Sequence, residues 1–183
     1  MLQIAKTLVT YRELLGIMAW KQIIVRYKQS YLGLVWAVLK PMTLMLVFTL
    51  LNGFIAINNS SVPYPVLAFT ALLPWIFFQE SISEGVNSVV SSAPLIRKIY
   101  LPREIFPLAG VVTKLVEFVI NAFILACLMI YFRVMPASTI VWVPALLLYT
   151  VMASLAVAFI GAAMNVFYRD VGTMLPIVLQ LLM

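Results

Sequence analysis

The sequence predicts an all-α integral membrane protein, and three observations carry that reading. Of 183 residues, 64% are hydrophobic and 10% charged, with a mean hydropathy of +1.10, whereas a soluble domain carries about 25% charged residues. The apolar residues fall in runs long enough to cross a bilayer. The basic residues stand at the ends of those runs, so the net charge of +6 reads as a topology signal rather than a nucleic-acid footprint, and no nucleic-acid partner is expected.

Residues 1–30 mix apolar and basic positions. Tyr11, Leu14, Met18 and Val25 share a helical stripe with Ile17 and Ile24 beside it, while Arg12, Gln22 and Arg26 take the other flank. That pattern suits an interfacial helix, with Lys21 and Lys28 snorkelling and Trp20 at the boundary. From Pro41 to Gln79 no formal charge occurs, a run that accommodates two spans joined by the turn-forming Asn58–Pro65. The spans are expected at residues 33–57 and 66–90, with a third at 107–131, a fourth at 140–167 and the start of a fifth at 172–183. The last has only 12 residues, roughly 18 Å of helix against a hydrocarbon core of roughly 30 Å, so the sequence is expected to be a C-terminally incomplete piece of one transmembrane domain.

Eleven of the 12 basic residues lie on one side of these spans and Arg133 alone on the other, which puts the N-terminus in the cytoplasm. Counted from the outer turn, Lys40, Glu80, Glu84, Lys114 and Glu117 all fall near the cytoplasmic leaflet, leaving the bilayer midplane uncharged. A charge at mid-membrane costs at least about 2.5–3.5 kcal/mol, and ion-driven carriers normally keep one there. Its absence weighs against that class. Lys40 is expected to snorkel, and Lys114 and Glu117, three apart on one helix face, to pair. Glu80 and Glu84 remain open between a solvated helix end and the lining of an inward-facing entrance. Aromatics such as Trp36, Phe48, Trp75 and Phe78 either pack and face lipid or offer faces on which sugar rings stack.

With no histidine and the single Cys127, no internal disulfide, Cys/His metal site or His-based triad can be built, and no catalytic or metal-ligating residue is expected. Arg12 and Glu13 interrupt any signal-peptide core. No glycine belongs to a phosphate-binding GxxxxGK[ST] loop, so a nucleotide cofactor is not expected on this chain.

Between the second and third spans lies SSAPLIRKIYLPREIFP, from Ser91 to Pro107. Ser91 and Ser92 can cap a helix, Pro94 fits its first turn and Pro102 stops it, giving about two turns over 94–101. Leu95, Ile96 and Ile99 share a face flanked by Arg97 and Lys98. Such a rod, roughly 12 Å long, suits docking into a partner's groove; an ordinary basic cytoplasmic loop is the plain alternative.

Four blocks carry a family resemblance: RYKQSYLGLVWAVLKP (Arg26–Pro41), LLPWIFFQESISEG (Leu72–Gly85), PLIRKIYLPREIFP (Pro94–Pro107) and NVFYRDVG (Asn165–Gly172). In this order and spacing the chain resembles the permease subunit of bacterial ABC transporters that export polysaccharide, the family of O-antigen, capsule and teichoic acid exporters. The resemblance implies an N-terminal interface helix and six transmembrane helices in the full subunit. It also implies a homodimer in the inner membrane and a separate ATP-binding subunit that carries ATP and Mg. Leu95, Ile96, Arg97, Lys98, Ile99, Tyr100 and Pro102 would form the coupling helix entering that subunit, with Arg103 and Glu104 at its exit. The implied cargo is a lipid-linked polysaccharide. Arg26, Lys28, Tyr31, Trp36, Lys40, Phe48, Trp75, Phe78, Glu80 and Glu84 are the candidates for its entrance and path, the basic ones for meeting a pyrophosphate. Alternatives are an exporter of small molecules or drugs, a membrane-embedded enzyme acting on lipid-linked sugars, which would draw on Glu80 and Glu84, and a scaffold without transport.

Overall fold

The computed structural model describes residues 12–28, 35–55, 62–98, 101–136 and 138–183. Within them the chain is helical, without a strand: α1 (Arg12–Lys28), α2 (Val35–Ile55), α3 (Tyr64–Ser91), a one-turn α4 (Ala93–Ile96), α5 (Ile105–Tyr131), a 3-10 turn (Ser138–Trp142), α6 (Val143–Phe167) and α7 (Asp170–Leu181). Four of the described helices are long and apolar enough to cross a membrane, as expected of an all-α membrane protein.

α3 is the hub, packing against α2, α5, α6 and α7. Toward its beginning Ala68, Phe69, Leu72 and Leu73 bury against Met45 of α2 and half-buried side chains of α5, including Phe118, whose ring meets Phe77 edge-on at 5.3 Å. Toward its end Ile82 and Val86 bury against Leu179 of α7. Within that stretch α6 comes close to α3: a Cβ on Gly85 would stand 2.6 Å from the Cβ of Ala158 on α6. Small residues at such a crossing let backbones meet without side chains between them, the form of packing that works where lipid supplies no hydrophobic drive.

Much of the apolar surface points outward. Leu46, Leu50 and Phe54 of α2 and Leu146, Tyr149, Met152 and Ile160 of α6 are exposed. The hydroxyls behave as an apolar solvent demands: Thr43, Thr49, Thr70 and Thr150 each donate to the carbonyl four residues earlier at 2.7–2.8 Å, so their polarity is consumed within their own helix.

Three local features refine the expectations. Besides its apolar stripe, α1 has a second face that is buried within the protein. Leu15 buries against Ile105, Leu108 and Ala109 of α5, with Leu14 and Met18 at the margin, and Ala19 is buried with its carbonyl 3.5 Å from the Thr113 hydroxyl. Gln22 turns inward to the buried Thr113, whose hydroxyl lies 3.0 Å from Gln22 Oε1 and 2.9 Å from its own acceptor, the Ala109 carbonyl. Ile17, Ile24 and Val25 stay exposed, an apolar face left for lipid. Second, the helix expected over 94–101 closes a single turn and gives way to turns at Arg97 and Lys98. Neither serine caps it: α3 runs on to Ser91, whose hydroxyl donates back to Ser88 O at 3.0 Å, and Ser92 makes no side-chain cap bond. Third, the span expected over 140–167 lies within the helical stretch Ser138–Phe167, whose first part, Ser138–Trp142, is a 3-10 turn before α6 begins at Val143.

α5 ends in a Schellman cap: Val134 N–H donates to Met129 O at 2.9 Å and Arg133 N–H to Ile130 O at 3.1 Å. Arg133 sits at its left-handed position with φ 54°, which disfavours a side chain by roughly 1–2 kcal/mol. Arg133→Gly is therefore expected to raise stability by about 1 kcal/mol. Gly85→Ala is expected to lower it by about 1–3 kcal/mol, while Gly53→Ala, which meets open space, leaves it unchanged or slightly higher. Thermal unfolding of detergent-solubilised full-length protein checks this order.

Candidate functional site

The charged residues converge where α3 nears its end. Lys114 and Glu117 lie on one face of α5, and Lys114 Nζ donates to Glu117 Oε2 at 2.8 Å, the expected pair. The same ammonium donates to Glu80 Oε2 of α3 at 2.8 Å, and the other Glu80 oxygen accepts from Lys40 Nζ of α2. Glu80 is thus neither a solvated helix end nor an unpartnered acid. Nor does Lys40 simply snorkel, since it is anchored at one end of a four-residue chain of ion pairs.

Burial grades along that chain. Side-chain exposure is 9% for Lys114, 11% for Glu117, 21% for Glu80 and 59% for Lys40. Two ammoniums and two carboxylates make the group formally neutral, the condition under which charge is tolerated in an apolar bundle. One turn on, Asn121 Nδ2 donates to Glu117 O at 2.9 Å and to Ala37 O of α2 at 3.1 Å, adding a second tie between α5 and α2. Glu84 has a partner of its own, and its stem lies against Gly110, where a Cβ would come within 3.2 Å of it.

A second polar junction lies on α3's other flank, and sequence reasoning missed it. Asn165 of α6 donates through Nδ2 to Val86 O at 3.1 Å and to Asn87 Oδ1 at 3.2 Å. Its Oδ1 accepts the Gly172 N–H at 3.0 Å, occupying one of the first-turn donors of α7 that have no partner within that helix. A Cβ on Gly172 would stand 2.4 Å from Asn87 Oδ1. A larger residue there would have to push aside the amides of Asn87 and Asn165. The available signal was an asparagine in an otherwise apolar helix, seven residues before a glycine at the start of the next.

The remaining site expectations divide. Arg97, Lys98, Arg103 and Glu104 are exposed, while Leu95, Ile96 and Pro102 are half-buried, so the apolar side of the one-turn helix is partly used within the chain. Phe48 and Trp75 come together in lining a cavity of about 360 Å³ with Tyr64, Ala68, Leu72 and Leu182. Trp36 is exposed elsewhere on α2, and Phe78 touches Trp75 at 6.0 Å between ring centroids but packs toward the α7 contact. Tyr31, Ile99 and Tyr100, and the side chains of Arg26 and Lys28, lie outside the described residues. Among the described residues no group of His, Cys, Asp and Glu could hold a metal ion.

Helices of spanning length with outward apolar faces and charges neutralised in pairs define a multi-pass membrane protein. The sequence pattern of the ABC-2 type transporter family matches residues 13–183, and the chain belongs to that family. It is 32% identical over 171 residues to an O-antigen export system permease protein of Myxococcus xanthus, covering 93% of this chain and 65% of the relative. It is 28% identical over 160 residues to an O-antigen export system permease protein of Klebsiella pneumoniae, covering 86% and 61%. The chain thus spans just under two thirds of the length of these relatives.

Removing one partner of a buried pair strands the other's charge. Glu80→Gln is therefore expected to destabilise the protein by about 3 kcal/mol, whereas Lys40→Gln, at the exposed end, should cost about 1 kcal/mol or less. Chemical denaturation in detergent should preserve that ranking; equal effects would mean that Lys114 is held by Glu117 alone. Asn165→Ala, which unmakes three hydrogen bonds at once, is expected to cost about 1–3 kcal/mol.

Proposed function

We propose that this chain is the membrane-spanning permease portion of an ATP-driven exporter that carries lipid-linked polysaccharide from the cytoplasmic side across the bacterial inner membrane. The observation that carries the reading is the family match over residues 13–183 together with the likeness to two O-antigen export permeases. On this reading the N-terminus is cytoplasmic, as the distribution of basic residues supports. The working unit is a homodimer. ATP and Mg belong to a separate subunit, consistent with the lack of a phosphate-binding loop in this sequence.

Force enters at the segment from Leu95 to Glu104, which joins α3 to α5. The exposed Arg97 and Lys98 meet the ATP-binding subunit. A nucleotide shifts the permease only as far as it binds one partner state better than another, and α3 is placed to pass that difference on because every other long helix except α1 packs against it. Lys40, exposed yet anchored through Glu80, stands at the entrance and meets the phosphate of the lipid carrier, together with Arg26 and Lys28. An enzyme acting on lipid-linked sugars would need Glu80 as a reacting acid, and its place between two ammoniums argues against that use.

The test is reciprocal. Arg97→Glu with Lys98→Glu is expected to lower recovery of the ATP-binding subunit in pull-downs from the full-length protein by about tenfold or more, the scale of losing charged contacts worth about 1.4 kcal/mol. Export should stop and lipid-linked glycan should accumulate inside the cell, with the melting temperature unchanged. Undiminished recovery would overturn the docking role, and continued surface glycan in a strain carrying only a disabled permease would overturn the transport role. Lys40→Gln should weaken binding of the lipid-linked substrate; unchanged binding would remove Lys40 from the entrance.

A further inference from the structure

Between the end of α3, the start of α5 and the last turns of α6 runs a groove of about 280 Å³. Its walls are apolar, with Val89, Phe159, Ala163 and Val166 among them, and Arg103 and Glu104 stand at its mouth. On α6 the exposed positions Met152, Ala156, Ala163 and Phe167, four or seven residues apart, form one helical stripe that leads into it. The groove is therefore continuous with a face that meets hydrocarbon in a bilayer, and an acyl chain can enter it from the side.

Its mouth is chemically distinct from its walls. Among the described residues Arg103 forms no salt bridge, whereas Glu104 is engaged in an interaction of its own. Arg97, Lys98 and Arg169 are exposed on neighbouring connections. A guanidinium presents a planar fork of donors that matches phosphate oxygens, and basic residues at a membrane surface favour anionic headgroups. We propose that this groove is a binding site for an anionic phospholipid, its acyl chain between α3 and α6 and its phosphate on Arg103. The inference goes beyond the transport reading and needs only that the chain lies in a bilayer.

The test uses full-length protein in nanodiscs doped with phosphatidylglycerol or phosphatidylcholine carrying the same photoactivatable acyl chain, with crosslinks mapped by mass spectrometry. Phosphatidylglycerol should label the segment 159–167 about fivefold more than phosphatidylcholine, the factor equivalent to about 1 kcal/mol per basic residue at an anionic surface. Arg103→Gln should bring the two probes level, Arg103→Lys should keep most of the preference, and Ala163→Trp, which fills the groove, should lower labelling by both. Equal labelling of the unaltered protein, or a preference that survives Arg103→Gln, overturns the proposal. So does loss of labelling on adding the ATP-binding subunit, which would assign the groove to a protein partner. Where Arg103→Gln fails to insert, unchanged phosphatidylglycerol labelling in Ala163→Trp overturns it equally.

Discussion

The ammonium of Lys114 is the constraint from which the rest of the bundle can be read. It lies almost out of contact with solvent in a helix long and apolar enough to span a membrane, where an unmatched charge is untenable. Glu117 on the same helix neutralises it, and Glu80 brings α3 to it. Glu80 then carries a second negative oxygen that Lys40 of α2 answers. Three helices are fastened at one depth by a single chain of proton donors and acceptors, and the interdigitated apolar layer containing Phe69, Phe77 and Phe118 lies directly beyond it.

On the other flank of α3 the fastening is neutral. Asn165 reaches the backbone of Val86, the side chain of Asn87 and the first turn of α7, so α6 and α7 are tied to α3 by amide chemistry where α2 and α5 are tied by charge. Between the two junctions Gly85 allows α6 to meet α3 backbone to backbone. A load applied at the segment after Ser92 therefore reaches α3 first and divides there, through ion pairs to one side and amides to the other. This is the structural content of the proposed coupling role.

Much of this was legible in the sequence because lipid imposes a coarse rule. Length and charge-free runs mark the spanning helices, and basic residues mark their ends. The Lys114–Glu117 pair was legible too, since three-residue spacing places both on one face. Partners distant in sequence were not. Nothing local tells Glu80 that Lys40 and Lys114 will meet it, forty and thirty-four residues away. Periodicity marked the apolar stripe of α1 but not its buried face: Leu15 goes to α5 and Ala19 is buried, while Ile17, Ile24 and Val25 go outward, and nothing in the local pattern separates side chains so alike. Ser91 looked like a cap, yet in a long helix its hydroxyl can bond backward to Ser88, and it does.

The seating of α1 on α5 has a mechanical consequence. At the membrane interface that the sequence predicts for it, its exposed Ile17, Trp20 and Val25 would lie in the oily layer just under the headgroups, while its opposite side is bolted to α5 by Leu15 and by the contacts of Thr113 with Gln22 and the Ala19 carbonyl. The short helix thus works as a float fixed to a mast. In a bilayer of different thickness the mast would lean rather than sink or rise, and the paired charges that begin at Lys114, next to the bolt, would keep their level relative to the surface.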